Sequence, residues 1–591
     1  MEKHITWLED KEKKLEKKVL AEYSLDEIQK HLTYLITLTR IAGTEDELKA
    51  AKYIKDKLEE YNIDCEIYEF DAYISHPGKA ELEILSPLQK SFPCLSNAFI
   101  ASSSPMGIEA ELMWVGKGTE EDYRGKEARG KIVLVKSGGG MSQVAAARIA
   151  DEKGALAQVH INSGKQRAIN FMQLRDTWGS PTPETLDRIP KTPAVNICNE
   201  DGQYLSELTQ KDHVLARMKA EAWRGYRKIR FPVGTIKGMR EPEKYVLLGA
   251  HYCSWYIGAT DNAVANSLML EMARIFSKHR KSLGKGIRFA WWAGHSQGSF
   301  AGSTWYADNF WDDIRDNAVA YLVMDGLGRA GASEFDPRNT EEIRNFCERI
   351  VKEMLGVEVK SKRPPRSGDQ SYWGMGLPSA TVEGIFPAGS QEGEKVWYSH
   401  TSEDTLDKVD MELISVPFKV NTVSTLRLCN NPVLPFEFVT VAGLFKKGLN
   451  DLQKGSQSIL DLTSLLTQAE ALEKKTEALN RGIKKVLLAY EKKGADKKLE
   501  NKFKEINTCL MELSRILLPV LATKAGKYGQ DPMGTKYKPI PVLQSLEKMA
   551  SMDSESEEFK ALRTSLLRER NKVSDALHAA NQVLERTLNR I

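Results

Sequence analysis

The chain has 591 residues, 41% hydrophobic and 28% charged, with a formal charge of +3. That length calls for several domains rather than one core, and the near-neutral balance offers no basic field for nucleic acid. No apolar run reaches the length needed to span a membrane. The N-terminus, MEKHITWLEDKEKKLEKKV, is charged and helical in character and lacks the apolar stretch of a signal peptide. Seven cysteines without CxxC spacing point to free thiols in a reducing compartment, and so to a cytoplasmic protein.

Two helices are predicted near the start. Ser24 with Glu27, and Thr44 with Glu47, have capping-box spacing. The second helix leads into NIDCEIYEF, an alternating strand pattern. Between 78 and 235 the character changes to short β-like runs (AELMWV, KIVLVKS, ALAQVHI) separated by Gly, Pro and charged turns. This reads as a small inserted domain. From Tyr245 onward, strand and helix alternate. YVLLGAH, GIRFAWWA, AVAYLVMD and SATVEG are strands, with DNAVANSLMLEMARIFSKHR and SFAGSTWYADNF as helices. That alternation predicts an α/β domain with a mostly parallel sheet, built from 1–77 and 236–433. From 434 to 591 the Leu/Lys/Glu/Ala-rich sequence has helical periodicity, broken at KKGADKK and KYGQDPMGTKYKPIPV, and reads as a helical bundle.

Polar residues gather where the predicted strands end. His251 follows one strand, Asp261 opens a helix, Asp325 follows another strand, and His400 lies in a loop after the last. Ligands of open α/β sheets sit beyond the carboxyl ends of the strands. Two imidazoles and two carboxylates there make an N/O donor set suited to zinc, and also to Mn, Fe or Co. A carboxylate such as Asp261 can bridge two cations with its two oxygens. A further motif, GHSQG at 294–298, matches G-x-S-x-G, the strand-turn-helix setting of a serine nucleophile. Asp325 or Asp369 and His400 follow Ser296 in the Ser, Asp, His order of α/β-hydrolases.

HYCSWYIGATDN, the GHSQG turn, VMDG and SHTSEDTLDKVD together resemble, in order and spacing, the M28 family of metallopeptidases. The insertion resembles a protease-associated (PA) domain. LPFEF and DPMGTKYKPIPVLQSLEK resemble the helical dimerisation domain of the glutamate carboxypeptidase II and transferrin receptor branch. The resemblance implies that His251 and Asp325 bind one metal, that Asp261 bridges to a second, and that His400 binds the second. It places the family's Glu-Glu pair, base and ligand, on His295 and Ser296, and the family's Asp on Cys253. GHSQG is then that turn with both acids replaced.

The replacements predict an altered centre. Ser296 is neutral, so the second position keeps only Asp261 and His400. One tight metal, zinc by preference, is expected on His251, Asp261 and Asp325. His295, an imidazole, is read as general base, replacement ligand or contact for a substrate carboxylate. Cys253 is a weak orienter of His251, a thiolate ligand at i+2 of an extended segment, or an inert buried side chain. Asp369 in RSGDQSYW, where Gln370 replaces the family's His, is a candidate substrate contact. Tyr398 or Ser399 could donate to an oxyanion. Of Trp291 and Trp292, at least one is read as core. The remaining histidines, His4 among them, carry no assigned role.

Three functions follow from these residues. The first is a metal-dependent hydrolase of a peptide or small amide, or of some other C–N bond. The second is a non-catalytic scaffold, for which the loss of both Glu residues argues. The third is a serine hydrolase using Ser296. A homodimer through the helical tail is implied by resemblance, with no nucleic-acid or membrane partner.

Overall fold

The computed structural model describes residues 9–138, 142–164, 167–386, 396–456, 459–494 and 496–591. The helical N-terminus expected from sequence is present from Glu9; residues 1–8, with His4, lie outside the described residues. Ser24 and Thr44 act as predicted. Each side chain accepts from the backbone N–H three residues on, opening helices Leu25–Leu35 and Glu45–Glu60.

Thirteen strands follow: Asp64–Ser86 (β1), Lys90–Phe92 (β2), Leu95–Ser96 (β3), Ile108–Trp114 (β4), Ile132–Val135 (β5), Ala157–Ile161 (β6), Ala194–Ile197 (β7), Leu215–Ile236 (β8), Glu241–His251 (β9), Lys285–Trp292 (β10), Ala318–Val323 (β11), Glu334–Asn339 (β12) and Ser379–Ile385 (β13). The order β13-β11-β9-β10 is parallel throughout. Strand β12 adds antiparallel outside β13, and β8 antiparallel outside β10. Residues 245–251 and the whole of β11 are buried, which is why they read as continuous apolar runs rather than alternating ones. Helix Val264–Lys278 packs on this sheet beneath helix Leu25–Leu35, and nearly all its residues are buried. Trp291 and Trp292 are both fully buried, so both are core, with Trp292 Nε1 donating to Tyr321 Oη at 2.9 Å.

The insertion is tied in by a long antiparallel ribbon. Residues 64–77 of β1 pair with 222–235 of β8; after a register shift between Pro77 and Ala80, the pairing resumes with 215–220. At the shift, a Cβ on Gly78 would fall 2.9 Å from Glu221 Cβ, so glycine permits the close approach. Beyond it β4 joins β8, followed by parallel β5, β6 and β7, with β3 closing the edge. The sequence boundary at 78 thus falls on the shift, whereas that at 235 lies at the far end of β8, beside β10. The insertion has its own core, including Leu82, Ile132, Leu134, Val159 and Leu205.

The C-terminal region is helical: Phe438–Ser456, Thr463–Lys493, Lys497–Ala522 and Glu557–Leu588 pack on one another. Its core is continuous with that of the α/β part. The KKGADKK break falls between the second and third of these helices; residue 495 lies outside the described residues. After Ala522 the chain leaves the bundle and lies against the insertion and residues 366–371. Met533 N donates to Asp176 O at 2.9 Å, and residues 366 and 534–535 exchange backbone hydrogen bonds. Arg366 is buried there, 4.1 Å from the Trp178 ring centre and 5.2 Å from that of Trp373. Its guanidinium donates to Gln370 O and to Gln530 Oε1. Among the described residues no helix is long and apolar enough to cross a membrane.

Candidate metal centre

Because β9, β10 and β11 are parallel, their carboxyl ends share one edge of the sheet. His251 is the last residue of β9, His295 lies three residues after β10, and Asp325 two after β11. One ligand atom from each lies within 4.8 Å of the others. Asp261 enters from the turn before helix Val264–Lys278, and His400 from the loop after β13. All five predicted donor residues converge.

His251 Nδ1–H donates to the Cys253 carbonyl at 3.0 Å, which leaves a lone pair on Nε2. That Nε2 is buried, 3.0 Å from Asp261 Oδ1 and 3.5 Å from Asp325 Oδ1, yet aligned with neither for a hydrogen bond. Burial alone would push the His251 imidazole down. The Asp325 charge and the adjoining carboxyls outweigh it and hold the ring well above its ordinary value. Burial would likewise raise Asp261, but His251 and His400 keep it well below the usual carboxylate range. The cluster is a buried negative pair that favours positive charge at His251 Nε2. A cation can take the place of the proton at His251 Nε2, and the deprotonated imidazole with the Asp261 and Asp325 carboxylates beside it is a donor set that fits a divalent metal.

Asp261 faces two ways. Its Oδ1 is on the His251 side; its Oδ2 is 3.1 Å from His400 Nε2 and accepts from Ser399 Oγ at 3.2 Å. His400 Nδ1–H donates to Phe171 O, a residue of the insertion, at 2.9 Å. Thus the insertion orients one of the site's imidazoles.

His295 stacks on His251, with ring centres 3.9 Å apart and planes 19° from parallel. Its Nδ1 is 2.8 Å from Asp369 Oδ2, so Nε2 is the nitrogen left for the centre. The turn that places it is compact. Phe300 N donates to His295 O, Ala301 N donates to Gly294 O, and Gly294 adopts φ +66 with Ile229 against the position of a Cβ. Ser296 is buried. Among the described residues its Oγ has no hydrogen bond to a histidine, so the serine-nucleophile reading finds no base in contact.

Two sequence expectations are revised. Asp369, expected to contact substrate, is buried behind His295, with Oδ1 accepting from Ser303 Oγ at 2.8 Å and Oδ2 committed to the imidazole. Cys253 orients His251 through its carbonyl rather than its thiol. The thiol instead accepts from His295 N at 3.2 Å and lies 4.0 Å from His251 Nδ1. Tyr398 is buried beside Trp397, whereas Ser399 reaches Asp261.

Three supporting residues escaped the sequence reading. Asp404 accepts from Thr260 N at 2.9 Å and Asp261 N at 3.1 Å, clamping the turn that carries Asp261; burial pushes its carboxyl up to about 6. Buried Arg40 donates to Tyr252 O, Gly258 O, Leu35 O and Leu38 O. Asn262 links Met324 O to Gly326 N, bracketing Asp325. Asp404 sits inside SHTSEDT, so its motif was visible; Arg40 has no local signal.

Comparison with known proteins places this edge. Residues 233–421 match peptidase family M28, and His251, Asp261, His295, Asp325 and His400 all fall inside that span. Over that span the chain is similar to the peptidase family M28 domain. It is 25% identical over 478 residues to a probable glutamate carboxypeptidase, VP8, of Zea mays, covering 67% of this chain and 66% of the relative, just under two thirds. It is 27% identical over 383 residues to aminopeptidase YwaD of Bacillus subtilis, covering 63% of this chain and 77% of the relative. The M28 fold extends to the solved zinc aminopeptidase BSAP of Bacillus subtilis, with TM-score 0.54 and 22% identity over 68% of this chain and 94% of that one. The mostly parallel α/β architecture with its C-terminal helical region is therefore an M28-type fold.

Proposed function

We propose that the chain hydrolyses the C–N bond of a peptide or small amide at a single divalent cation, zinc by preference. The observation that carries this reading is His251 Nε2, buried between Asp261 and Asp325 without a hydrogen bond. A divalent cation held there supplies Lewis acidity toward the scissile carbonyl and toward water. His251, Asp261 and Asp325 would hold it. Ser296 brings no carboxylate to the second position, where His400 instead pairs with Asp261 Oδ2, and this favours a mononuclear centre.

His295 supplies the one uncommitted nitrogen beside these donors. Asp369 holds its Nδ1–H, so the Nε2 lone pair points into the centre, where it serves either as a fourth ligand or as proton acceptor for the attacking water. The donor grouping of His251, His295 and Asp325 favours the ligand role. The insertion, a PA-like domain in this reading, contributes Phe171 O to the setting of His400. A cytoplasmic homodimer through the helical region belongs to the same proposal, and light scattering of the purified chain checks the dimer.

The test is metal content per chain, measured on protein purified without chelator and on Asp261→Ala. Stoichiometric metal lost in the variant, with chelator-sensitive amidase activity, supports the hydrolase. Bound metal without activity on peptides or amides leaves the scaffold reading. A metal-free chain, after incubation with zinc, manganese, iron or cobalt, ends the proposal.

A further inference from the structure

Just past His295 the backbone takes a path that few sequences adopt unaided. Ser299 and Phe300 both have positive φ, +50 and +67, in the left-handed region that residues with side chains rarely occupy. Such a conformation persists only where its surroundings over-determine it. Here the insertion supplies the restraint. Arg175, fully buried, donates through Nη2 to Gly298 O at 2.9 Å and through Nε to Ser299 Oγ at 3.3 Å. The same Nη2 donates to Gly179 O at 2.7 Å, and Gly179 N donates in turn to Ser299 O at 2.6 Å. Ser299 Oγ donates to Gln173 Oε1 at 2.7 Å. The guanidinium carbon lies 4.0 Å from the Phe99 ring centre, so the cation rests against an aromatic ring.

The effect of this clasp falls on His295. Phe300 N donates to His295 O at 2.9 Å, and the Phe300 ring meets the imidazole edge-on, with centres 4.7 Å apart and planes at 89°. Trp178, also of the insertion, stacks on Phe300 with ring centres 4.0 Å apart. Were residues 298–299 to relax, Phe300 would carry its ring away from the imidazole. A lysine at 175 would keep the charge but not the planar fork that spans Gly298, Ser299 and Gly179.

We propose that Arg175 is a positioning residue for His295: from the insertion it clamps the backbone of 298–299, which holds Phe300 against the imidazole. Where His295 is a metal ligand, the clamp also raises the zinc affinity of the centre; that consequence, unlike the positioning itself, rests on the function proposed above.

The test follows the histidine Cε1–H resonances of the full, zinc-free chain labelled at that carbon, with His295→Ala and His160→Gln assigning two of them. In Arg175→Lys and Arg175→Gln the His295 signal, set by the stacked His251 and edge-on Phe300 rings, is expected to shift. The signal of His160, buried within the insertion, should stay in place. A His295 signal that moves in neither variant overturns the inference. So does one that moves together with that of His160, because the insertion as a whole has then been disturbed. If Arg175→Gln shows no melting transition, Arg175→Lys decides. Zinc affinity, by competition against a chelating dye, should fall about tenfold in Arg175→Lys, with no further fall when that change is added to His295→Ala. An equal fall in both backgrounds overturns the inference. A chain that takes up no zinc would sink the proposed function, while a shifted His295 signal would still uphold the clamp. Zinc uptake with an unmoved His295 signal would do the reverse.

Discussion

Asp369 Oδ2 lies 2.8 Å from His295 Nδ1, on the face of the ring turned away from the metal donors. Its other oxygen is taken by Ser303, whose hydroxyl also meets Ser371 Oγ at 2.8 Å, and Ser371 in turn accepts from Trp178 Nε1. The carboxylate is fixed by this network and fixes the imidazole. Removing such a partner lowers metal affinity by about 10- to 100-fold. Asp369→Asn should therefore weaken zinc binding by about that factor, read by competition against a chelating dye. A variant that holds zinc as tightly as the wild type would show that His295 is not a ligand.

Ser296 stands where the M28 resemblance places a metal-binding Glu. Ser296→Glu should raise bound metal from about one to about two equivalents per chain, since a carboxylate would join Asp261 and His400. Elemental analysis of the two proteins decides it. Equal content would mean that His400 and Asp261 remain locked to each other.

Asp404 presents its two oxygens to the backbone N–H groups of Thr260 and Asp261. Asp404→Ala would orphan both donors in a buried turn. The expected cost is about 2 kcal/mol or more in thermal stability, with a larger proportional loss of metal binding because Asp261 loses its setting. A melting curve with and without zinc separates the two effects. A normal metal affinity would show that the turn holds without its clamp.

His31 is buried between Tyr53 Oη at 2.8 Å and Tyr61 Oη at 3.1 Å, and burial pushes its imidazole down to about 4. The folded value is below the unfolded one of about 6.5, so the unfolded chain binds the extra proton first. The neutral ring's contribution is complete above pH 6.5 and is lost as the pH falls toward 4. That loss amounts to about 3 kcal/mol. Denaturant unfolding of wild type and His31→Gln at pH 7 and pH 4 checks it; parallel pH dependence in the two would contradict the assignment.

Much of this molecule was readable because parallel strands bring their ends together. The alternation from Tyr245 onward placed His251, His295 and Asp325 at strand ends, and a parallel sheet makes those ends neighbours. Asp261 and His400 were candidates from their places at a helix start and in a loop, but their roles came from motif resemblance, since nothing in their own spacing brings a loop at 400 to a helix start at 261. The position of Asp369 was not readable. Whether a carboxylate faces the cavity or the back of an imidazole depends on the path of residues 366–371, which long-range contacts set. Cys253 shows the same limit: the sequence supplies a thiol, but the backbone carbonyl does the orienting. The register shift at Pro77 and Ala80 was marked by its Pro-Gly pair, whereas β8 crosses between the sheets with no comparable signal.

Arg366 joins the loop of Asp369 to residues 530–535, more than 160 positions later in the chain. During synthesis the N-terminal parts of a protein emerge and begin to fold first. The proposed donors, from His251 to His400, would all have left the ribosome while the partners of Arg366 were still unmade. Until those residues arrive, the loop behind His295 lacks its anchor. An unfinished polypeptide would thus present the ligands without the oriented imidazole, and competence would be acquired only as the last helices are being completed.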